Sequence, residues 1–341
     1  MTVPADIAFV DPCSAAAYAP ASLDKGGLGG TEATVLRVGG ALAQDTAIVH
    51  FQKGRDHAEV TTAGRMLPFA LAFTPCAAAS FVVINAWKVA CKLRKVHPFA
   101  RICLWLHINP GRHNRAMGQA LAAAGIGVVC VSGSHAAHLR AFLGDTPLRI
   151  EHIYNPIDDD LCPDATLRDP NRLLFASSAH KGLAQVFAQF RAARAVLPDL
   201  TLAVADPGYL AWDVGPVPEG VTFLGKLPHD ALIAEMRRAF CLFYPQTTFA
   251  ETFGLVLAEA NAVGTPVLVH HPLGANAEVV GDPGQLVDGH DPAKILARLL
   301  EWRCNPVSGR AKADFRLTVV AQQWAARLGL GAQAGQLRKV A

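Results

Sequence analysis

Residues 249–267, FAETFGLVLAEANAVGTPV, place Glu251 and Glu259 eight positions apart in an otherwise apolar run. Phe243-Tyr244-Pro245 reads as the end of a strand and QTTFAET as a polar loop, so Glu251 stands at a loop tip. The pattern then predicts a helix over about 253–263, stopped at Gly264, with Glu259 about two turns in. An interval of eight spans about two turns and sets both carboxylates on one side. Taken alone, Glu251 is a helix-start carboxylate favoured by the helix dipole, and Glu259 a solvated side chain. The second half of that reading conflicts with Leu255, Val256, Leu257, Ala258, Ala260 and Ala262 around it. A charge in so apolar a helix is costly unless a partner meets it. A nucleotide ribose is such a partner, because vicinal hydroxyls donate to one carboxylate, at about 1.5–3 kcal/mol per hydrogen bond. The amides of Phe253, Gly254 and Leu255 at the helix start suit an anion such as a diphosphate, and glycine at 254 permits close approach.

The bulk of the chain fits that reading. Its 341 residues suggest two domains. With 51% hydrophobic and only 17% charged residues, disorder is excluded and sheets buried on both faces are favoured. A formal charge of +3, with no concentrated basic stripe, argues against nucleic acid as a partner. The densest basic stretch, KVACKLRKVHPFAR (88–101), reads as a solvated helix face, or as a weak patch for anionic lipid or a phosphorylated acceptor. The eight cysteines are scattered, without a C-x-x-C pair or a tight His/Cys cluster, which suits a reducing compartment. No signal peptide is read in MTVPADIAFVDP. The longest apolar stretch, residues 76–91, is too short to span a bilayer. A cytoplasmic protein, at most peripherally associated with membrane, is expected.

Short Val-, Ile- and Phe-rich runs alternate with alanine-rich segments of helical spacing. Strands are expected at 7–10, 47–51, 81–84, 102–106 and 128–131, then at 173–175, 202–205, 221–224, 241–244 and 266–269. Helices are expected after Thr31, Trp87, Asn114 and Ser134, and near Leu183, Asp230, Phe253 and Asn276. Such alternation implies parallel sheets covered by helices. The Pro-, Asp- and Asn-rich segment 154–172 reads as a linker. The expected domains are therefore 1–155 and 156–312, with a helical tail, 313–341, packing back on the first. Two facing doubly wound domains would direct both sets of strand C-termini at one cleft.

Three further segments can carry chemistry. In LLFASSAHKGLAQVFAQF (173–190), Lys181-Gly182 opens a helix just after a strand, where a lysine reaches a diphosphate; taken alone it is an exposed lysine beside a turn. In DKGGLGGTEATVLRVGGALAQ (24–44), glycines lead into a helix but fail the G-x-G-x-x-G spacing. In RICLWLHINPGR (101–112), a strand delivers His107 at its C-terminal end, although a lone histidine is more often a packed residue. The other histidines lack metal-ligand spacing.

The segment from Glu251 to Val267 resembles the E-x7-E signature of the large retaining glycosyltransferase family called group 1, which has the GT-B fold. The resemblance continues through VLVHHPLGANAEVVGDPGQLV (267–287), which includes Glu278. It implies two Rossmann-like domains facing across a cleft, 1–155 on the acceptor side and 156–312 on the nucleotide-sugar side. It assigns Glu251 to the donor sugar, Glu259 to the donor ribose, and the amides of Phe253, Gly254 and Leu255 to sugar and phosphate. Lys181 is implied at the diphosphate, together with an arginine about six residues earlier. Phe175 stands there instead, with Ser177, Ser178 and His180 nearby. Gly29 and Gly30 correspond to a loop over the donor phosphates and acceptor. His107 corresponds to a histidine touching the transferred sugar, with Asn109 and Arg112 as acceptor contacts, and VTFLGKLPHDAL (221–232) is similar to the base-side loop.

The implied reaction moves a hexose-type sugar from a UDP- or GDP-sugar to a hydroxyl acceptor in glycan, glycolipid or glycoconjugate synthesis. No metal and no cofactor are expected, since Asp158-Asp159-Asp160 lies in the linker and reads as solvated. An NAD-dependent oxidoreductase would need the dinucleotide fingerprint that residues 26–30 lack. A same-fold epimerase or phosphorylase, or an inactive binding protein, are the remaining alternatives.

Overall fold

The computed structural model describes residues 5–75, 77–208 and 210–330. These form two compact units: 5–21, 30–156 and 314–330 in the first, and 22–29 with 157–313 in the second. The expected tail 313–341 is described only as far as 330.

The first unit holds β1 (Ala5–Asp11), α1 (Gly30–Leu42), β2 (Ile48–Gln52), β3 (Glu59–Thr61), β4 (Gly64–Pro68), β5 (Ala78–Ile84), α2 (Trp87–Val96), β6 (Arg101–Leu106), α3 (Met117–Ala123), β7 (Gly127–Cys130), α4 (Gly133–Leu143) and β8 (Ile150–His152). The sheet runs β3-β4-β2-β1-β5-β6-β7-β8. Every pairing is parallel except β3 with β4, a hairpin at the edge. Continuous apolar runs form its middle strands because helices cover both faces.

In the second unit, the elements are β9 (Asp169–Ala176), α5 (Leu183–Arg194), β10 (Thr201–Ala205), β11 (Val221–Phe223), α6 (His229–Arg238), β12 (Ala239–Tyr244), α7 (Leu255–Ala262), β13 (Val267–His270), α8 (Asn276–Val280), β14 (Leu286–Val287) and α9 (Pro292–Cys304). Its sheet, β11-β10-β9-β12-β13-β14, is parallel throughout. The last helix, α10 (Leu317–Leu328), belongs to the first unit and packs on α1. Its Trp324 is fully buried, with its ring centroid 4.5 Å from that of Trp105.

Several expectations are corrected. The strands β3, β4, β8 and β14 and the helix α9 were not expected. The last residues of the linker 154–172 are strand, because β9 starts at Asp169. The helix expected at Phe253 starts at Leu255, since Gly254 takes a left-handed backbone (φ 91°) that a helix cannot include. Glu259 is thus just over one turn in, and Glu251 lies outside the helix.

Candidate functional site

In the second unit the site is built at the C-terminal ends of β9 and β12. After β9, Ser177 and Ser178 are buried, and the Lys181 amide donates to the Ser178 carbonyl at 2.9 Å. Gly182 then turns left-handed (φ 88°) to cap α5. A Cβ there would meet the Gln246 side chain at 2.7 Å, so only glycine lets this turn reach the loop after β12. That loop is tied internally. Gln246 Oε1 accepts from the amides of Thr248 (2.9 Å) and Phe249 (2.8 Å), and its Nε2 donates to the Phe249 carbonyl at 2.8 Å. Gln185 of α5 holds Thr247 through both its side-chain atoms at 2.8 Å.

The fixed loop delivers Glu251 to Lys181. The Lys181 ammonium lies 2.9 and 3.2 Å from the two carboxylate oxygens, and the Tyr244 hydroxyl donates to Oε1 at 3.0 Å. The Glu251 carbonyl accepts from the Ala275 amide at 2.9 Å, which ties the loop to the segment before α8. Lys181 Nζ also sits 4.6 Å from the centroid of the Phe249 ring, a cation–π contact. Beside it, His180 packs edge-on to Phe249 and to Trp212. Burial, and then the charge of Lys181, lower the His180 pKa, so this ring is neutral at neutral pH. The Ser178 hydroxyl is buried with no hydrogen-bond partner among the described residues.

One turn into α7, Glu259 is 4% exposed and receives a hydrogen bond from His229 Nε2 at 3.0 Å. The partner that its apolar surroundings demand is therefore supplied, within the protein, by the first residue of α6. His229 Nδ1 stands 4.0 Å from Asp158. Phe253 is buried, and Gly254 caps α7. Phe175 is fully buried against Tyr244, with ring centroids 5.5 Å apart. Its side chain belongs to the core, so position 175 offers no place for a phosphate-binding arginine.

His107 and Gly30 belong to the first unit, and Gly29 is grouped with the second. His107 follows β6. Its amide donates to Asn85 Oδ1 at 2.7 Å, and Asn85 itself adopts a positive φ of 56°. The His107 ring lies tilted on Trp105, 4.6 Å between centroids. Burial, and then the neighbouring His135, push its pKa down to about 3, so it is a neutral imidazole at neutral pH. Asn109 and Arg112 are exposed, and Gly30 opens α1.

Of the sequence-based candidates, Lys181 and Glu251 are thus in direct contact, and Glu259 sits in the same unit. Two residues were missed. Tyr244 was read only as a strand end, and His229 only as part of a loop. Neither has a local motif, because their partners lie 7 and 30 positions away.

Residues 171–313 match the family model of the glycosyl transferases group 1. The match lies within the second unit, and this part of the chain is similar to the group 1 glycosyltransferases. A D-inositol 3-phosphate glycosyltransferase from Acidothermus cellulolyticus is 41% identical over 96 residues, 27% of this chain and 21% of that protein. One from Catenulispora acidiphila is 32% identical over 206 residues, 52% of this chain and 48% of that protein. The chain therefore spans between a fifth and a half of these relatives' length. An alpha,alpha-trehalose-phosphate synthase (UDP-forming) structure from Burkholderia vietnamiensis superposes with a TM-score of 0.63 at 12% identity, covering 97% of this chain and all of that one. The fold is GT-B. Within the group 1 unit and elsewhere among the described residues, no group of three or more His, Cys, Asp or Glu side chains is placed to hold a metal ion. No described helix is long and apolar enough to cross a membrane.

Proposed function

We propose that this chain transfers a sugar, with retention of anomeric configuration, from a nucleoside diphosphate sugar to a hydroxyl acceptor. The observation that carries this reading is the Lys181–Glu251–Tyr244 cluster at the C-terminal ends of β9 and β12, with Glu259 buried in the helix that follows. Tyr244 and Lys181 hold Glu251 oriented, ready to accept from a sugar hydroxyl. An ammonium has three N–H donors. Glu251 takes at most two, which leaves Lys181 a donor for the diphosphate beside the amides at the starts of α5 and α7. Glu259 takes the ribose hydroxyls. His107, a neutral imidazole, contacts the sugar through a hydrogen bond rather than a charge.

In the reaction the bond between the anomeric carbon and the phosphate oxygen breaks, and a bond to the acceptor oxygen forms on the same face. The acceptor proton passes to the leaving phosphate, so no side chain need act as base. Catalysis is then stabilisation of the departing charge plus orientation, and no metal takes part. Uracil and guanine are the two bases to be separated. The relatives' name supplies D-inositol 3-phosphate as the first acceptor to try.

The test is to follow the anomeric proton by NMR with α-linked UDP- and GDP-sugars, with and without D-inositol 3-phosphate, in EDTA. An α-linked product with diphosphate release supports the reading. A β-linked product, or complete loss of turnover in EDTA, overturns it. The core position of Phe175, where the family resemblance asks for an arginine, favours one other reading: sugar-nucleotide binding without transfer. Tight binding with no diphosphate release under every acceptor would select it.

A further inference from the structure

The His229–Glu259 contact has no role in the reaction just described. Glu259 lies on α7 in a run where Leu257, Ala258, Ala260, Asn261 and Ala262 are also buried. A glutamate carries three rotatable side-chain bonds, so its carboxylate plane depends on what it bonds. His229 supplies a fixed point. It is the first residue of α6, following Pro228, whose φ of −57° and ψ of 155° set the entry into the helix. Helix α6 packs on α7, so the ring reaches Glu259 Oε1 with Nε2 at 3.0 Å. A carboxylate accepts only, so Nε2 carries the proton. The Asp158 carboxylate 4.0 Å from Nδ1 flanks the other edge of the ring.

We infer that His229 is a positioning residue for donor recognition: by bonding one oxygen of Glu259 it sets the carboxylate plane that reads the ribose hydroxyls. The inference rests on the reading of Glu259 as the ribose ligand. His229 itself touches no substrate. Binding energy against the ribose depends on the direction of the acceptor lone pairs, and a bond to a charged partner weakens steeply off axis. A glutamate without its anchor still fits the site but selects less sharply between ribose and deoxyribose.

The experiment compares UDP with 2′-deoxy-UDP and 3′-deoxy-UDP, and the matching GDP set, by calorimetric titration of the full chain. Wild type, His229→Ala and His229→Gln are measured, each checked for an unchanged melting profile. Gln restores an N–H donor near the position of Nε2. Wild type is expected to prefer the ribonucleotide over one deoxy form by about tenfold or more. His229→Ala should narrow that ratio to about twofold or threefold, and His229→Gln should recover much of it. An unchanged ratio in His229→Ala overturns the inference while leaving Glu259 as the ribose ligand. No discrimination in wild type overturns both. Because His229→Ala could fail to fold, a wild-type measurement stands beside it. With 15N-labelled histidine, the Nε2-protonated form of His229 must persist in the saturated nucleotide complex. A change of tautomer on binding also overturns the inference.

Discussion

The two units share one architecture but differ in the partners of their buried histidines. In the first, His50, His107 and His135 are buried and neutral, with pKa values pushed down by burial to about 4, about 3 and about 4. His50 and His135 bond backbone carbonyls, of Ala63 at 2.9 Å and Ile108 at 3.2 Å. Burial also raises the pKa of Asp11, while hydrogen bonds from the Cys13 amide, the Tyr18 hydroxyl at 2.9 Å and the Ser14 amide lower it. The second unit pairs Lys181 with Glu251 and Arg172 with Glu235 and sets His229 against Glu259, while the first holds an ion pair of its own, buried Arg55 with Glu59 at 2.8 Å. A buried ion pair is seldom more stabilising than apolar packing of the same volume. The Lys181–Glu251 pair, at the strand ends of the family-matched unit, is where the proposed donor chemistry has its groups. A neutral, carbonyl-bonded histidine is what a core accepts.

The comparison breaks most visibly if the units do not respond separately. Trp324→Ala removes a fully buried ring from the first unit and should cost about 3–5 kcal/mol of stability. In calorimetry it should leave the nucleotide-induced shift of the second unit unchanged. Lys181→Met removes the charge facing Glu251. By analogy with the loss of one electrostatic stabiliser, turnover should fall about 100- to 1000-fold, with the first unit's melting unaffected.

Acid should act on the first unit above all. A histidine whose folded pKa lies below its unfolded value of 6.5 binds fewer protons when folded, so its contribution to stability is present above pH 6.5. That contribution falls by roughly 1.4 kcal/mol per pH unit as the pH drops below 6.5, until the folded pKa near 3–4 is reached. Urea unfolding at pH 7, 6 and 5 should show this slope, and His50→Leu should flatten it. The smallest effect is expected at the rim. Glu219, 86% exposed, pairs with Arg194 at 3.1 Å, and Glu219→Ala should change stability by no more than about 0.5 kcal/mol. A large loss there would mean that the pairs of this unit matter for stability in general.

The sequence was most legible where burial is continuous. Runs such as AFCLFY and RICLWL read directly as strands because both faces are covered. The missed strands are two to five residues long. Glu59–Thr61 and Gly64–Pro68 form an edge hairpin closed by a glycine turn, where hydrophobic periodicity is absent. Helix α9 carries its signal in Asp291 as cap and Pro292 at its first position, which hydrophobic periodicity does not read. At the site, the apolar neighbours of Glu259 showed that it needed a partner. They could not name His229, which depends on how α6 lies on α7. Lys181 and Glu251 were each legible, but their pairing across 70 positions was not. Phe175 taught something else: the missing arginine was legible in the sequence, and its physical reason, a side chain that faces the core, was not.

The most direct test of the central claim, that the paired carboxylates of the second unit hold a nucleoside diphosphate sugar, is thermal unfolding with UDP, GDP, ADP and NAD. Wild type and Glu259→Ala are compared. Ligand at a hundred times its dissociation constant adds about 2.7 kcal/mol, a shift of several degrees. Stabilisation by UDP or GDP in wild type, lost in Glu259→Ala, is the predicted result. Stabilisation by NAD alone, or by a nucleoside diphosphate equally in both proteins, would contradict it.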